Sequence, residues 1–179
     1  ARGAVSLDGK EILPLHFTMS KDMQVREKSY QDACEQLKKR LLQGLDVAMV
    51  NLGDVSIYAT AYYIFSELQK DGFPARMVPG IASFCAVAAL LGWSLTEPEE
   101  PLHIVPGSAD VKAALLLPGT KVLMKSGTAI SDTVQALEQT GLLERAALVA
   151  DCGLPTQQVY HDLRKLPQEL SYFATIVVR

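Results

Sequence analysis

Two short stretches hold the residues best suited to chemistry: Asn51-Leu52-Gly53-Asp54-Val55-Ser56-Ile57-Tyr58 and Met77-Val78-Pro79-Gly80-Ile81-Ala82-Ser83-Phe84. A glycine in a turn lets the main chain approach a ligand closely because it has no Cβ, and the start of a following helix supplies free N–H groups. Each stretch follows a short apolar run, residues 45–50 and 73–78, that reads as a buried strand, and each leads into a helical pattern. Turns after successive parallel strands lie on one rim, where open α/β sheets take their ligands. The residues alone leave a plainer reading open, in which Asp54 or Ser56 only caps the next helix and Pro79-Gly80 is an ordinary turn.

Other chemistries leave no mark. Neither G-x-x-x-x-G-K-[ST] nor G-x-G-x-x-G occurs, which argues against a nucleotide di- or triphosphate held in those ways. His16, His103 and His161 lie far apart without metal-ligand spacing, and G-x-S-x-G is absent. The sequence shows no nucleophile–base pair and no metal cluster. Catalysis by positioning two bound molecules needs neither.

The elements that must position these turns can be read from periodicity. An amphipathic helix is predicted over 29–43, with Ala33, Cys34, Leu37 and Leu41 on one stripe and Gly44 as its stop. Helices at 56–69 and 81–91 come after the two turns. The run Phe84 to Leu91 is too short to span a membrane and reads as a core helix containing a buried Cys85. Residues 96–101, Thr-Glu-Pro-Glu-Glu-Pro, read as a linker between an α/β domain at 1–95 and another at 102–179. Beyond the linker, strands at 102–105, 121–124 and 146–150 alternate with helices at 109–116 and 131–138. Two final segments, 158–162 and 172–178, read as a β pair. This alternation implies α/β architecture on both sides of the linker.

Bulk properties set outer limits. The chain has 179 residues, 49% hydrophobic and 21% charged, with a formal charge of −3. That balance lacks the basic excess of a nucleic-acid binder, and the single basic run, Lys38-Lys39-Arg40, reads as a solvated helix end. Three scattered cysteines, Cys34, Cys85 and Cys152, suit a reducing compartment, so a cytoplasmic location is expected.

Taken in order, the motifs resemble those of the tetrapyrrole (corrin/porphyrin) methylases. Gly53-Asp54-Val55-Ser56-Ile57-Tyr58 matches the family's G-D-P-x-x-Y-like turn, although Val55 stands where proline is usual. Val78-Pro79-Gly80-Ile81-Ala82-Ser83 matches V-P-G-[IV]-[ST]-S, and Val122-Leu123-Met124-Lys125 matches a V-x-M-K strand end. Leu15-His16-Phe17-Thr18-Met19, Glu100-Pro101-Leu102-His103-Ile104 and the ending Tyr172 to Arg179 point within the family toward members that methylate carbon 20 of precorrin-2 or cobalt-factor II.

The resemblance implies two α/β domains with a cofactor cleft between them, the first strand and G-x-G-P-G loop of the N-terminal domain being absent from this chain. It implies S-adenosylmethionine as methyl donor, with S-adenosylhomocysteine as product, and a free tetrapyrrole as acceptor. It also implies a homodimer with no nucleic-acid or membrane partner. By position, Leu52, Gly53, Asp54, Ile57, Ala82, Ser83, Phe84, Met124, Gly153, Leu154, Thr175 and Ile176 would contact the cofactor, with Asp54 a candidate for its ammonium. Tyr58, Tyr62 and His16 are weak candidates for the group taking the acceptor's proton, and Arg76 and Lys125 for pairing with its carboxylates. Another ring position, an RNA ribose or diphthine acceptor, and a non-catalytic fragment stay open as alternatives.

Overall fold

Helix α1 (Met23–Leu41) starts where the Asp22 carboxylate accepts from the amides of Gln24 and Val25. This cap lies upstream of the expected start, and Ser29 is interior, returning its hydroxyl to the Arg26 carbonyl at 2.7 Å. The computed structural model describes residues 6–18, 20, 22–125, 130–167 and 169–179; Met19 of the sequence motif lies outside them. Gly44, at φ +79°, turns the chain out of α1. Helix α2 (Thr60–Lys70) packs against α1, with Ala33, Cys34 and Leu37 meeting Ile64 and Leu68, and with Leu13, Leu15 and Phe17 laid on the same cluster. The basic run at the end of α1 is tied by ion pairs. Lys38 reaches Glu35 at 2.9 Å and Asp71 at 2.5 Å, and Arg40 reaches Glu11 at 2.6 Å.

Residues 45–50 and 73–78 correct the expectation of buried strands. Both are extended, but neither joins a ladder. Leu45 and Phe73 donate back to the preceding helices, and the Ala75 carbonyl accepts from Gln69. The rest of their main chain finds no main-chain partner among the described residues. An apolar run becomes a buried strand only when a neighbour satisfies its polar backbone; here Leu45, Val47, Val50, Met77 and Val78 remain exposed. The two segments line a cavity of about 750 Å³ with Leu37, Leu41, Ile64 and Leu68.

The chain divides at Gly80, ahead of the expected linker. Residues 96–101 form neither helix nor strand, but helix α3 (Ser83–Leu91) belongs to the C-terminal unit because it packs on the last strand. This second unit is a five-stranded mixed sheet. Its strands are β1 (Leu102–Pro106), β2 (Thr120–Met124), β3 (Ala146–Ala150), β4 (Gln158–Tyr160) and β5 (Ala174–Val178), in the order β1-β2-β5-β3-β4. β1 and β2 are parallel, and every other pairing is antiparallel. The expected pairing of the two final segments does not form. β5 is held between β2 and β3, so both of its edges are used, and β4 pairs with β3 instead.

Alternation along the strands divides the sheet's two faces. Leu123, Leu148, Ile176 and Val178 pack with α4 (Val111–Leu115) and α5 (Ile130–Gln139) in one core. Val122, Val149 and Val177 point the other way, the side on which α3 buries Phe84, Val87 and Ala88. Cys85 points away from that stripe and is exposed, against expectation; Cys34 is the buried cysteine.

Candidate functional site

The two glycine turns of the first unit touch. Gly53 takes φ +87°, a conformation open to glycine. Asp54 Oδ1 accepts from the Ser56 amide at 2.8 Å and from its hydroxyl at 2.5 Å. Asp54 Oδ2 accepts from the Gly80 amide at 2.8 Å. A Cβ on Gly80 would stand 2.5 Å from the Gly53 carbonyl oxygen, so only glycine allows this approach. The Ser56 hydroxyl above all, then the Ser56 and Gly80 amides, hold the Asp54 carboxyl below the usual carboxylate range. The helix-capping reading of Asp54 and Ser56 is therefore overturned: α2 starts at Thr60 behind Ala59, with no side-chain cap. The amides of Gly53, Asp54 and Val55 have no acceptor among the described residues.

Around these turns, Leu52 is exposed and Ile57 half-buried. Tyr58 adopts φ +48°, uncommon for an aromatic residue, and with Tyr62 is exposed. Tyr62 lies against Tyr63 and Phe65, and Tyr63 stacks on Tyr30 at 5.2 Å. His16 is exposed on the segment before α1, and Arg76 on residues 73–78.

In the second unit the predicted residues gather at one end of the sheet. Met124 stands opposite Thr175 across β2 and β5, and Thr175 stands opposite Val149 on its other side. Directly opposed residues share a face, here the one away from the α4–α5 core. Thr175 is 5% exposed, yet its hydroxyl makes no hydrogen bond to a described residue. A buried polar group without a partner calls for one. Ile176 points into the opposite core and offers that end no side chain.

Gly153 and Leu154 lie in a turn held to the same end, because the Asp151 amide donates to the Phe173 carbonyl at 3.1 Å. The Asp151 carboxylate accepts from Ser171 Oγ at 2.5 Å and Thr156 Oγ1 at 2.8 Å, bonds that hold its carboxyl below the usual range. Ala82, Ser83 and Phe84 form the start of α3; Phe84 is buried, and no side chain caps the helix.

Two members of this rim take a backbone conformation that their sequence did not announce. Lys125 at φ +59° and Asp151 at φ +52° hold a left-handed backbone that costs non-glycine residues about 1–3 kcal/mol. The Lys125 ammonium lies 5.5 Å from the Tyr172 ring centre. Gly107 donates to the Met124 carbonyl at 2.6 Å, where a Cβ would meet the Lys125 carbonyl oxygen at 2.6 Å. Lys125 was marked by the V-x-M-K strand end, whereas Asp151 offered only an aspartate after an apolar run. Within the second unit, apolar Met124 and the buried Thr175 hydroxyl, which makes no hydrogen bond to a described residue, suit a ligand with an apolar part and a few polar atoms.

The profile of the family Tetrapyrrole (Corrin/Porphyrin) Methylases matches residues 3–167. The cobalt-precorrin-2 C(20)-methyltransferase of Salmonella typhimurium is 30% identical over 94% of this chain and 73% of its own length. A probable cobalt-precorrin-2 C(20)-methyltransferase of Methanocaldococcus jannaschii is 34% identical over 67% of this chain and 51% of its own. Among solved structures, a cobalt precorrin-4 methyltransferase superposes with TM-score 0.72 at 16% identity, covering 90% of this chain and 81% of that one. A uroporphyrin-III C-methyltransferase from Thermus thermophilus, complexed with S-adenyl homocysteine, superposes with TM-score 0.63 at 19% identity, covering 83% and 73%.

Proposed function

Since this chain belongs to the tetrapyrrole (corrin/porphyrin) methylases, we propose that it transfers a methyl group from S-adenosylmethionine to carbon 20 of precorrin-2 or cobalt-factor II in cobalamin biosynthesis. The ring position is carried by the similarity, along almost the whole chain, to an enzyme named for that reaction. The site chemistry is compatible. The cofactor residues proposed are Leu52, Gly53 and Ile57 in the first unit and Ala82, Ser83, Phe84, Met124, Gly153, Leu154 and Thr175 in the second, without Ile176, whose side chain lies in the opposite core.

When bound, the cofactor supplies an electrophilic methyl on a positively charged sulfur. This chain's part is to bind, orient and exclude water. Met124 and Phe84 give apolar surface, the Thr175 hydroxyl gives a buried polar contact, and the amides of Gly53 and Asp54, without an acceptor among the described residues, give donors. A positive sulfonium loses its charge as the methyl leaves, so a dry, orienting site favours transfer without an acid or metal group. Tyr58, Tyr62 and His16, all exposed, are the candidates for the group that takes the proton leaving the acceptor carbon. Lys125 and Arg76 offer cations for an acceptor rich in carboxylates. The proposal includes a cytoplasmic homodimer acting on a free small molecule.

Calorimetric titration with S-adenosylhomocysteine tests the cofactor assignment. Saturable binding is expected, weakened about tenfold or more by Met124→Ala, which removes buried apolar contact, and by Gly53→Val, which cannot hold φ +87° without strain. Incubation with S-adenosylmethionine and precorrin-2 or cobalt-factor II should add one methyl at carbon 20, seen by mass and carbon NMR. Methylation at another carbon would overturn the ring assignment, and failure of the folded chain to bind S-adenosylhomocysteine would overturn the cofactor assignment.

A further inference from the structure

We propose that Asp54 is a positioning residue: its carboxylate clasps the Gly80 turn to the Gly53 turn, and this clasp, rather than contact with the cofactor's ammonium, is its contribution to binding. The inference rests on the cofactor reading above.

Three donors occupy this carboxylate. The Ser56 amide and hydroxyl take Oδ1 at 2.8 and 2.5 Å, and the Gly80 amide takes Oδ2 at 2.8 Å. Ser56 fixes the side chain's direction locally, and with that direction fixed Oδ2 meets an amide 26 residues further along the chain. The glycines close the contact from the other side, since the Gly53 carbonyl oxygen occupies the space a Cβ on Gly80 would need. Neither α2 nor α3 draws a side-chain cap from these turns, so helix capping does not account for the arrangement. What it leaves presented is the row of amides at Gly53, Asp54 and Val55, which have no acceptor among the described residues. A carboxylate is required because both oxygens must accept. The substitution Asp54→Asn would keep one acceptor and turn an NH₂ donor toward another donor, whereas Asp54→Ala would keep none.

Two readings on the 179-residue chain test this. The first is exchange of the Gly80 amide hydrogen with solvent, followed by NMR without cofactor. The second is the affinity for S-adenosylhomocysteine, with thermal midpoints as a control for folding. Asp54→Ala should speed Gly80 exchange and weaken binding by about tenfold or more, the range of a charge-assisted hydrogen bond. Asp54→Asn should fall between it and the unaltered chain, and Ser56→Ala should shift both readings the same way by less. Met124→Ala should weaken binding and leave Gly80 exchange unchanged.

Unchanged Gly80 exchange in Asp54→Ala would overturn the clasp. Faster exchange with unchanged affinity would overturn its role in binding. Weakened binding by Asp54→Asn with Gly80 still protected would return Asp54 to direct cofactor contact. If the unaltered chain binds no S-adenosylhomocysteine, the cofactor reading fails and takes the positioning role with it, while Gly80 exchange separately reports whether the clasp exists.

Discussion

At the residue scale, Asp151 mirrors Asp54 in the other unit. Each is an aspartate whose two oxygens accept from different partners, Ser56 and the Gly80 amide for Asp54 and the Ser171 and Thr156 hydroxyls for Asp151. These bonds lower its folded-state pKa, so the stability it contributes is complete above the unfolded value, about 3.9. It is lost as pH falls through the depressed folded value. Asp151→Asn tolerates the φ +52° backbone but cannot titrate. Its thermal midpoint should therefore fall less steeply than that of the unaltered chain as pH drops below about 4. Parallel curves from calorimetry across that range would show that the carboxylate contributes nothing as an anion. Where chemistry is local the site was legible at this scale: a glycine after an apolar run announces a turn or a close approach, and Gly53 uses its φ of +87° while Gly80 uses its missing Cβ. The partner of Asp54 was not legible, because a hydrogen bond to an amide 26 residues away leaves no periodic trace.

At the element scale, β5 is the keystone of the sheet. It pairs on both edges and buries every residue, and Ile176 is inaccessible within the α4–α5 core. Ile176→Ala should cost about 2–5 kcal/mol by lost burial plus the cavity left behind. Val159→Ala on the edge strand β4, where the side chain is 39% exposed, should cost about 0.5 kcal/mol or less. Urea denaturation of both variants checks the pair, and equal losses would contradict the assigned order of strands. β3 was readable because the run 146–150 is bounded by Arg145 and Asp151 and is long enough only for a strand. The partners of β5 were not. Nearness in sequence favours β4, yet the central slot buries far more of an all-apolar strand than an edge does. Residues 45–50 show the converse limit, since a strand-like run is a strand only if another segment pairs with it.

At the scale of the whole molecule, the two units differ in what holds them. The unit from Ile81 onward has the sheet, with helices on both faces and, among the described residues, a core of fifteen buried ones around the α4–α5 side. The unit ending at Gly80 rests, among the described residues, on a cluster of five buried ones between α1 and α2. Its extended segments carry backbone groups open to solvent. Regional stability follows buried apolar contact and protected backbone hydrogen bonds. Hydrogen exchange should therefore resolve a gradient: amides of β2, β3 and β5 slowest, those of α1 and α2 faster, and those of 46–50 and 75–78 exchanging almost as in a free peptide. Denaturant added below the main transition should release α1 and α2 first, because opening them exposes the smaller core. Slow exchange at 46–50 would mean that these residues are paired in solution, and the cavity beside them would then be the place to look for the pairing strand.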